Sequence, residues 1–289
     1  MPLQLSASEG AKALPCCLSA MSRPLWTPSE EGLHNTNLFR FRKFVNRECD
    51  EEFDNYSDLH AWSVSRSDKF WSLVWDYCGV IGDKGERRLI DGHKMPGATF
   101  FPDASINFAE NLLRRRDESD ALVFWAEDRV KTCMSWGEFY DAVSRMAQAL
   151  KELGVEPGDR ISAILPNMPE AVVAMLAASS IGAIWSSCSP DFGEQGVLDR
   201  FGQIEPKVLI SADGYFYNGK AFDVLPKLAG IVAGLPTLEK VVVVPFLGSH
   251  ADQLAEVGDI DKAVSYSEFT SAYKASDIEF ERFTFNHPL

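Results

Sequence analysis

Hydrophobic and polar positions follow two different rhythms along this chain, and the rhythm changes near residue 115. Beyond that point, residues 121–126 form a short apolar run of strand length. Glu127-Asp128-Arg129 is turn-like, and residues 130–134 return as the second strand of a hairpin. Ser135-Trp136-Gly137-Glu138 has the spacing of a capping box, in which a hydroxyl and a carboxylate satisfy backbone donors at a helix start. Phe139, Val143, Met146, Leu150 and Leu153 follow at spacings of four and three, which predicts an amphipathic helix ending at Gly154. Pro157-Gly158-Asp159 turns the chain into a strand over 160–165, and a helix over 169–181 stops at Gly182 before a strand over 183–188. A helix over 194–204, a strand over 207–211, a helix over 220–233 and a strand over 240–245 complete the series. Strict alternation with nearly continuous Val/Ile/Leu strands predicts an α/β fold, a parallel sheet with helices on both faces.

The earlier part is irregular and aromatic. Trp62, Phe70, Trp71, Val74 and Trp75 fall in two short helical stretches, with Ser57 and Ser67 as expected N-caps, and they read as packing residues that supply large buried area. Residues 95–102 are turn-rich, and 107–113 have helical spacing. The expected organisation is a flexible leader over 1–23, an extension over 24–115 and an α/β domain over 116–289.

Composition narrows the function classes. With 46% hydrophobic and 11% aromatic residues, the 289-residue chain can bury a real core. A formal net charge of −14 without a long Lys/Arg block argues against nucleic acid or an anionic membrane as partner. The six cysteines form no C-x-x-C pair, no zinc set is completed by histidine, and a reduced, cytosolic compartment is expected. The apolar run before Pro15 is too weak for a secretory segment. The longest membrane candidate, 171–187, reads better as a helix followed by a strand. The G-x-G-x-x-G turn, the P-loop and the G-x-S-x-G elbow are all missing, and none of the five histidines is placed as a base. Ligands of such sheets gather beyond the strands' carboxyl ends, which here are Leu165-Pro166-Asn167, Cys188 through Gly193, and Ala212 through Lys220.

One of those ends carries a specific resemblance. The string from Trp185 to Phe201, with Ser189-Pro190-Asp191-Phe192-Gly193 at its centre, resembles the acetoacetyl-CoA synthetase branch of the AMP-forming acid ligases. Pro24-Leu25-Trp26-Thr27-Pro28, Met95-Pro96-Gly97, Asn107 through Leu113 and Tyr217-Asn218-Gly219-Lys220 are similar to the same branch, so the likeness spans roughly 24–289. It implies the incomplete amino-terminal part of the adenylate-forming fold, preceded by the extension, and a two-step ligation that uses ATP, magnesium and CoA. The family's phosphate loop, adenine site and mobile carboxy-terminal lysine would all follow Leu289, so no catalytic and no metal-binding residue carries over.

What the resemblance leaves here is part of the CoA side. Lys220 is the expected phosphate partner, placed at a helix start where a cation gains nothing from the dipole. Gly219, Tyr217, Asp191, Phe192 and Gly193 are the other expected contacts. Tyr217 stands where acetyl-type relatives tend to carry arginine, and Lys207 reads as structural surface. Two readings stay open: an inactive fragment of an acetoacetate–CoA ligase, with sheet edges left unpaired, or a short non-catalytic protein that binds CoA or a partner chain.

Overall fold

A computed structural model describes residues 25–127, 129–247 and 257–289. The expected leader over 1–23 lies outside the described residues. The chain groups into two compact units, divided between Trp62 and Ser63.

The first unit is helical. Helices α1 (Glu30–His34) and α2 (Asn37–Cys49) are capped by Ser29 and Thr36, whose hydroxyls accept the N–H groups of Gly32 and Phe39, both at 3.1 Å. Asp50, in the left-handed region at φ 54°, ends α2. Phe41 and Val45 are buried, as are Leu59 and Trp62 of α3 (Tyr56–Ser65), and Phe53 packs on Trp62 with ring centroids 5.5 Å apart. The cap is not Ser57, which lies inside α3: the Asn55 side chain takes the Asp58 N–H at 3.0 Å and occupies the capping role.

In the second unit α4 (Ser67–Cys78) likewise lacks the expected serine cap. Ser67 is already helical, and Arg66 before it, at φ −127° and ψ 49°, makes no side-chain cap. Two small antiparallel pairs follow, β1 (Gly82–Asp83) with β4 (Ser105–Ile106) and β2 (Leu89–Ile90) with β3 (Thr99–Phe100). Trp71 and Trp75 of α4 pack edge-on or tilted against Phe100 and Phe101, at 6.2 and 5.1 Å. Helix α5 (Phe108–Leu112) starts at Asn107, which is buried. Its amide donates to the carbonyls of Ser179, Ser180 and Glu281 at 3.3, 3.0 and 2.7 Å.

The hairpin β5 (Asp120–Ala126) and β6 (Val130–Ser135) leads into α6 (Trp136–Glu152) through the capping box, with Ser135 and Glu138 bonded in both directions. Then come β7 (Arg160–Ile164), α7 (Pro169–Ser180), β8 (Ile184–Cys188), α8 (Glu194–Phe201) and β9 (Val208–Ala212). A second hairpin, β10 (Gly214–Tyr217) and β11 (Lys220–Asp223), precedes α9 (Leu225–Ala233), β12 (Lys240–Val244), β13 (Ala263–Ser265) and α10 (Tyr266–Ser271).

The central sheet is parallel throughout, in the order β13-β12-β9-β7-β8. Its strands are apolar on both faces because both are covered. Ile161, Ala163, Val242 and Val244 enter one core with α6 and α7, whereas Ile164, Val241 and Val243 enter another with α8 and α9. Each fully buried Val or Ile of these strands contributes about 2 kcal/mol. The α/β fold with helices on both faces is therefore the one the pattern predicts.

A third expectation, after the two serine caps, is overturned. Lys220 does not begin a helix; it begins β11, and the helix starts five residues later at Leu225. Asn218 and Gly219 both take positive φ, 50° and 74°, which makes the two-residue reversal that matches strand twist. The chain thus pairs Tyr217 with Lys220 before any helix can form.

Candidate functional site

The direction of the crossovers singles out one end of the sheet. From β7 the chain passes through α7 to β8 on one side; from β9, its neighbour on the other side, it passes through the second hairpin and α9 to β12. Helices α7 and α9 lie in the cores of opposite faces. The two connections diverge, and the crevice outside the carboxyl ends of β7 and β9 is the switch point at which open α/β sheets take ligands.

A cleft of about 900 Å³ opens there. Leu165, Pro166 and Asn167 follow β7 along one wall, and Cys188, Ser189, Pro190 and Asp191 close β8 beside them. The two hairpins supply the rest, with Phe124 to Ala126 from β5, Glu127 from the turn after it, and Tyr215, Phe216, Tyr217 and Phe222 from the β10–β11 pair. Phe246 at its back packs on Phe124 and Phe216 with centroids 5.9 and 5.4 Å apart. Tyr215 stacks on Phe222 at 5.2 Å and 14°. Trp125 and Tyr217 remain 67% and 68% exposed, so two aromatic side chains present accessible surface at the mouth.

Backbone ties give the cleft its shape. Asp213, at the end of β9, is buried, and burial pushes its carboxyl pKa up even though it accepts the N–H groups of Phe246 and Leu247 at 2.8 and 3.1 Å. It fastens the end of β9 to the loop after β12. At the mouth, the Glu127 carboxylate accepts the Gly219 N–H at 3.0 Å, and the Arg129 guanidinium donates to the Gly219 carbonyl at 2.7 Å while lying 4.8 Å from the Phe216 ring centroid. The two hairpin turns are held together by those contacts. In the β8 wall, burial pushes the Cys188 thiol up to about 11, against the opposing pull of Arg200 and Lys227, which favours the neutral thiol.

Of the six expected contacts, Asp191 and Tyr217 line the cleft. Phe192 and Gly193 stand behind its wall: Arg200 lies over the Phe192 ring at 4.3 Å, and Gly193 precedes α8 as its N-cap. Gly219 is at the mouth, held by Glu127 and Arg129, and Lys220 is exposed on β11 beside it. Sequence reasoning missed Glu127, Arg129, Phe216, Phe246 and Lys227. The Asn218-Gly219 dipeptide between Tyr-Phe-Tyr and Lys-Ala-Phe was the signal for the hairpin that carries Phe216 and offers the Gly219 backbone to Glu127 and Arg129.

A family model described as AMP-binding enzyme matches residues 108–277. The chain belongs to the AMP-binding enzyme family. Acetoacetyl-coenzyme A synthetase of Rhizobium meliloti is 46% identical over 269 residues, covering 92% of this chain and 40% of that protein. The acetoacetyl-CoA synthetase of Danio rerio is 40% identical over 276 residues, with 93% and 40% covered. The solved acetoacetyl-CoA synthetase from Streptomyces lividans superposes with a TM-score of 0.82 at 37% identity, again over 92% of this chain and 40% of that one. The chain thus spans about 40% of the length of the curated relatives it matches. The stretch matched to the AMP-binding family holds all five strands of the central sheet and every residue that lines the cleft.

Proposed function

We propose that this chain is the amino-terminal portion of an acetoacetate–CoA ligase and that its switch-point cleft receives the nucleotide end of CoA. The cleft carries the reading. At about 900 Å³ it suits a large small-molecule group, with aromatic walls for a purine and the exposed Lys220 at its mouth for a phosphate. In the whole reaction, a carboxylate oxygen of acetoacetate attacks the α-phosphorus of ATP and pyrophosphate leaves. The CoA thiol then attacks the acyl carbon and AMP leaves.

The ATP-handling parts belong, in this reading, to the portion of the relatives that the chain does not match. Among the described residues no cluster of His, Cys, Asp or Glu is placed to hold a metal ion. Among the described residues no helix is long and apolar enough to cross a membrane, and a cytosolic location fits the free cysteines.

Two assays on the purified 289-residue chain test the proposal. Calorimetry is expected to show CoA binding that weakens with salt, and acetoacetate-dependent ATP–pyrophosphate exchange is expected to be absent. Robust exchange would refute the division of labour, and no CoA binding at millimolar ligand would refute the assignment of the cleft.

A further inference from the structure

Helix α9 carries a lysine where the helix itself gives it no advantage. Lys227 stands in the first turn, at the positive end of the dipole, and no acidic residue accompanies it there. It is partly buried, and burial pulls its pKa down against the opposing influence of Cys188 and Asp191. A solvated position would remove both costs. Instead its ammonium donates to two loop carbonyls, those of Pro190 and, at 2.8 Å, Phe192.

Those carbonyls flank Asp191, which lines the cleft, whereas Lys227 does not. One cation bonded to the Pro190 and Phe192 carbonyls fixes the first and third of the three successive peptide planes from Pro190 to Gly193, which bracket Asp191 and Phe192. The Pro190–Asp191 and Phe192–Gly193 planes are turned toward α9, so Asp191 is held between them in the cleft wall. Arg200 secures the same loop only through the Phe192 ring. With the ammonium gone, the two carbonyls would lose charge-assisted partners in a half-buried place, and the loop would relax toward solvent.

We propose that Lys227 is the positioning residue of the cleft, setting the Ser189–Gly193 wall in its ligand-receiving conformation without touching the ligand. This rests on the reading of the cleft as the CoA site. The role is distinct from that expected of Lys220, which stands at the mouth and would meet the ligand directly.

The test compares wild type, K227M, K227R and K227Q in the 289-residue chain by CoA calorimetry and by the alkylation rate of Cys188, read by peptide mass spectrometry. Loss of charge-assisted bonds predicts that K227M weakens CoA binding about tenfold and, compared at equal thiolate fraction because the lost Lys227 charge also raises the thiol pKa, speeds Cys188 alkylation about tenfold, with K227R restoring both to within about threefold. K227Q, which keeps an amide NH2 donor but not the charge, should fall between them and decides the matter if K227M does not fold. A folded K227M or K227Q with both readouts unchanged would overturn the proposal. Weaker CoA binding with an unchanged Cys188 rate would also overturn it, because Lys227 would then be a direct ligand contact. If wild type binds no CoA the cleft reading fails, and the Cys188 rates alone still decide whether Lys227 holds the loop.

Discussion

Two hollows open on the α/β unit at opposite ends of its sheet, and they differ in kind. The cleft beyond the carboxyl ends has about 900 Å³, loop walls, exposed aromatic side chains and carboxylates at its rim. The hollow near the amino end of β8 has about 370 Å³ and is lined by Phe100, Phe101, Ile106, Phe283 and Phe285, with His287 as its one titratable group. In the second, the His287 ring meets the Gly182 carbonyl at 2.9 Å and stacks on Phe283. The switch-point topology and the polar rim distinguish the cleft, and damage to the two ends should have separable consequences.

The largest effect is expected at the amino end. Gly182 sits at φ 74°, and a Cβ there would run into the Phe283 ring, so Gly182→Ala combines backbone strain with overpacking. A loss of about 3 kcal/mol in chemical denaturation is expected. Asn107→Ala should cost a similar amount, about 2–3 kcal/mol, because three carbonyls and the start of α5 lose one donor-acceptor group. Whatever fraction stays folded should bind CoA as wild type does. A milder loss than about 1 kcal/mol in both variants would mean that this end is not the packed seam its contacts describe.

How far the sequence revealed each region follows from the range of the forces involved. The capping box at Ser135 and the period of α6 are local, and both were legible. The parallel sheet was legible because strands buried on both faces must be apolar at every position, as Val241 to Val244 are. The cleft was legible in outline, since its walls are the loops after β7, β8 and β9. Its details depend on contacts between distant residues: Glu127 meets Gly219, and Lys227 meets Pro190, across separations that no periodicity encodes. The Lys220 error had a local cause, because Asn218-Gly219 specifies a hairpin and the apolar run from 224 was extended back across it.

At the cleft end, Asp213→Ala should leave the amides of Phe246 and Leu247 without their buried acceptor, at a cost of about 1–3 kcal/mol. Unlike the seam variants, it should also weaken CoA binding in the folded protein, because Phe246 forms the back of the cleft. Retained affinity would place the ligand elsewhere. Glu127→Ala, at an exposed turn, should change stability by less than about 0.5 kcal/mol but free the Gly219 N–H and loosen the tie between the hairpins. A changed CoA affinity at unchanged stability is the expected signature, and no change in either would show that the mouth is not part of the site.

The smallest effect is the one that reads the wall without any ligand. Burial holds the Cys188 pKa at about 11, above the ordinary thiol value of 9.0, so the folded state favours the neutral thiol. Its contribution to stability is therefore fully present below pH 9.0 and is lost as pH rises toward about 11. Cys78 and Cys133 are exposed and serve as internal references. At pH 8, iodoacetamide should label them well before Cys188, and Cys188 should gain reactivity only as the pH climbs through that window or as the loop above it opens. Equal labelling at pH 8 would mean that the β8 wall is open in solution, which would remove the physical difference between the cleft and an ordinary surface groove.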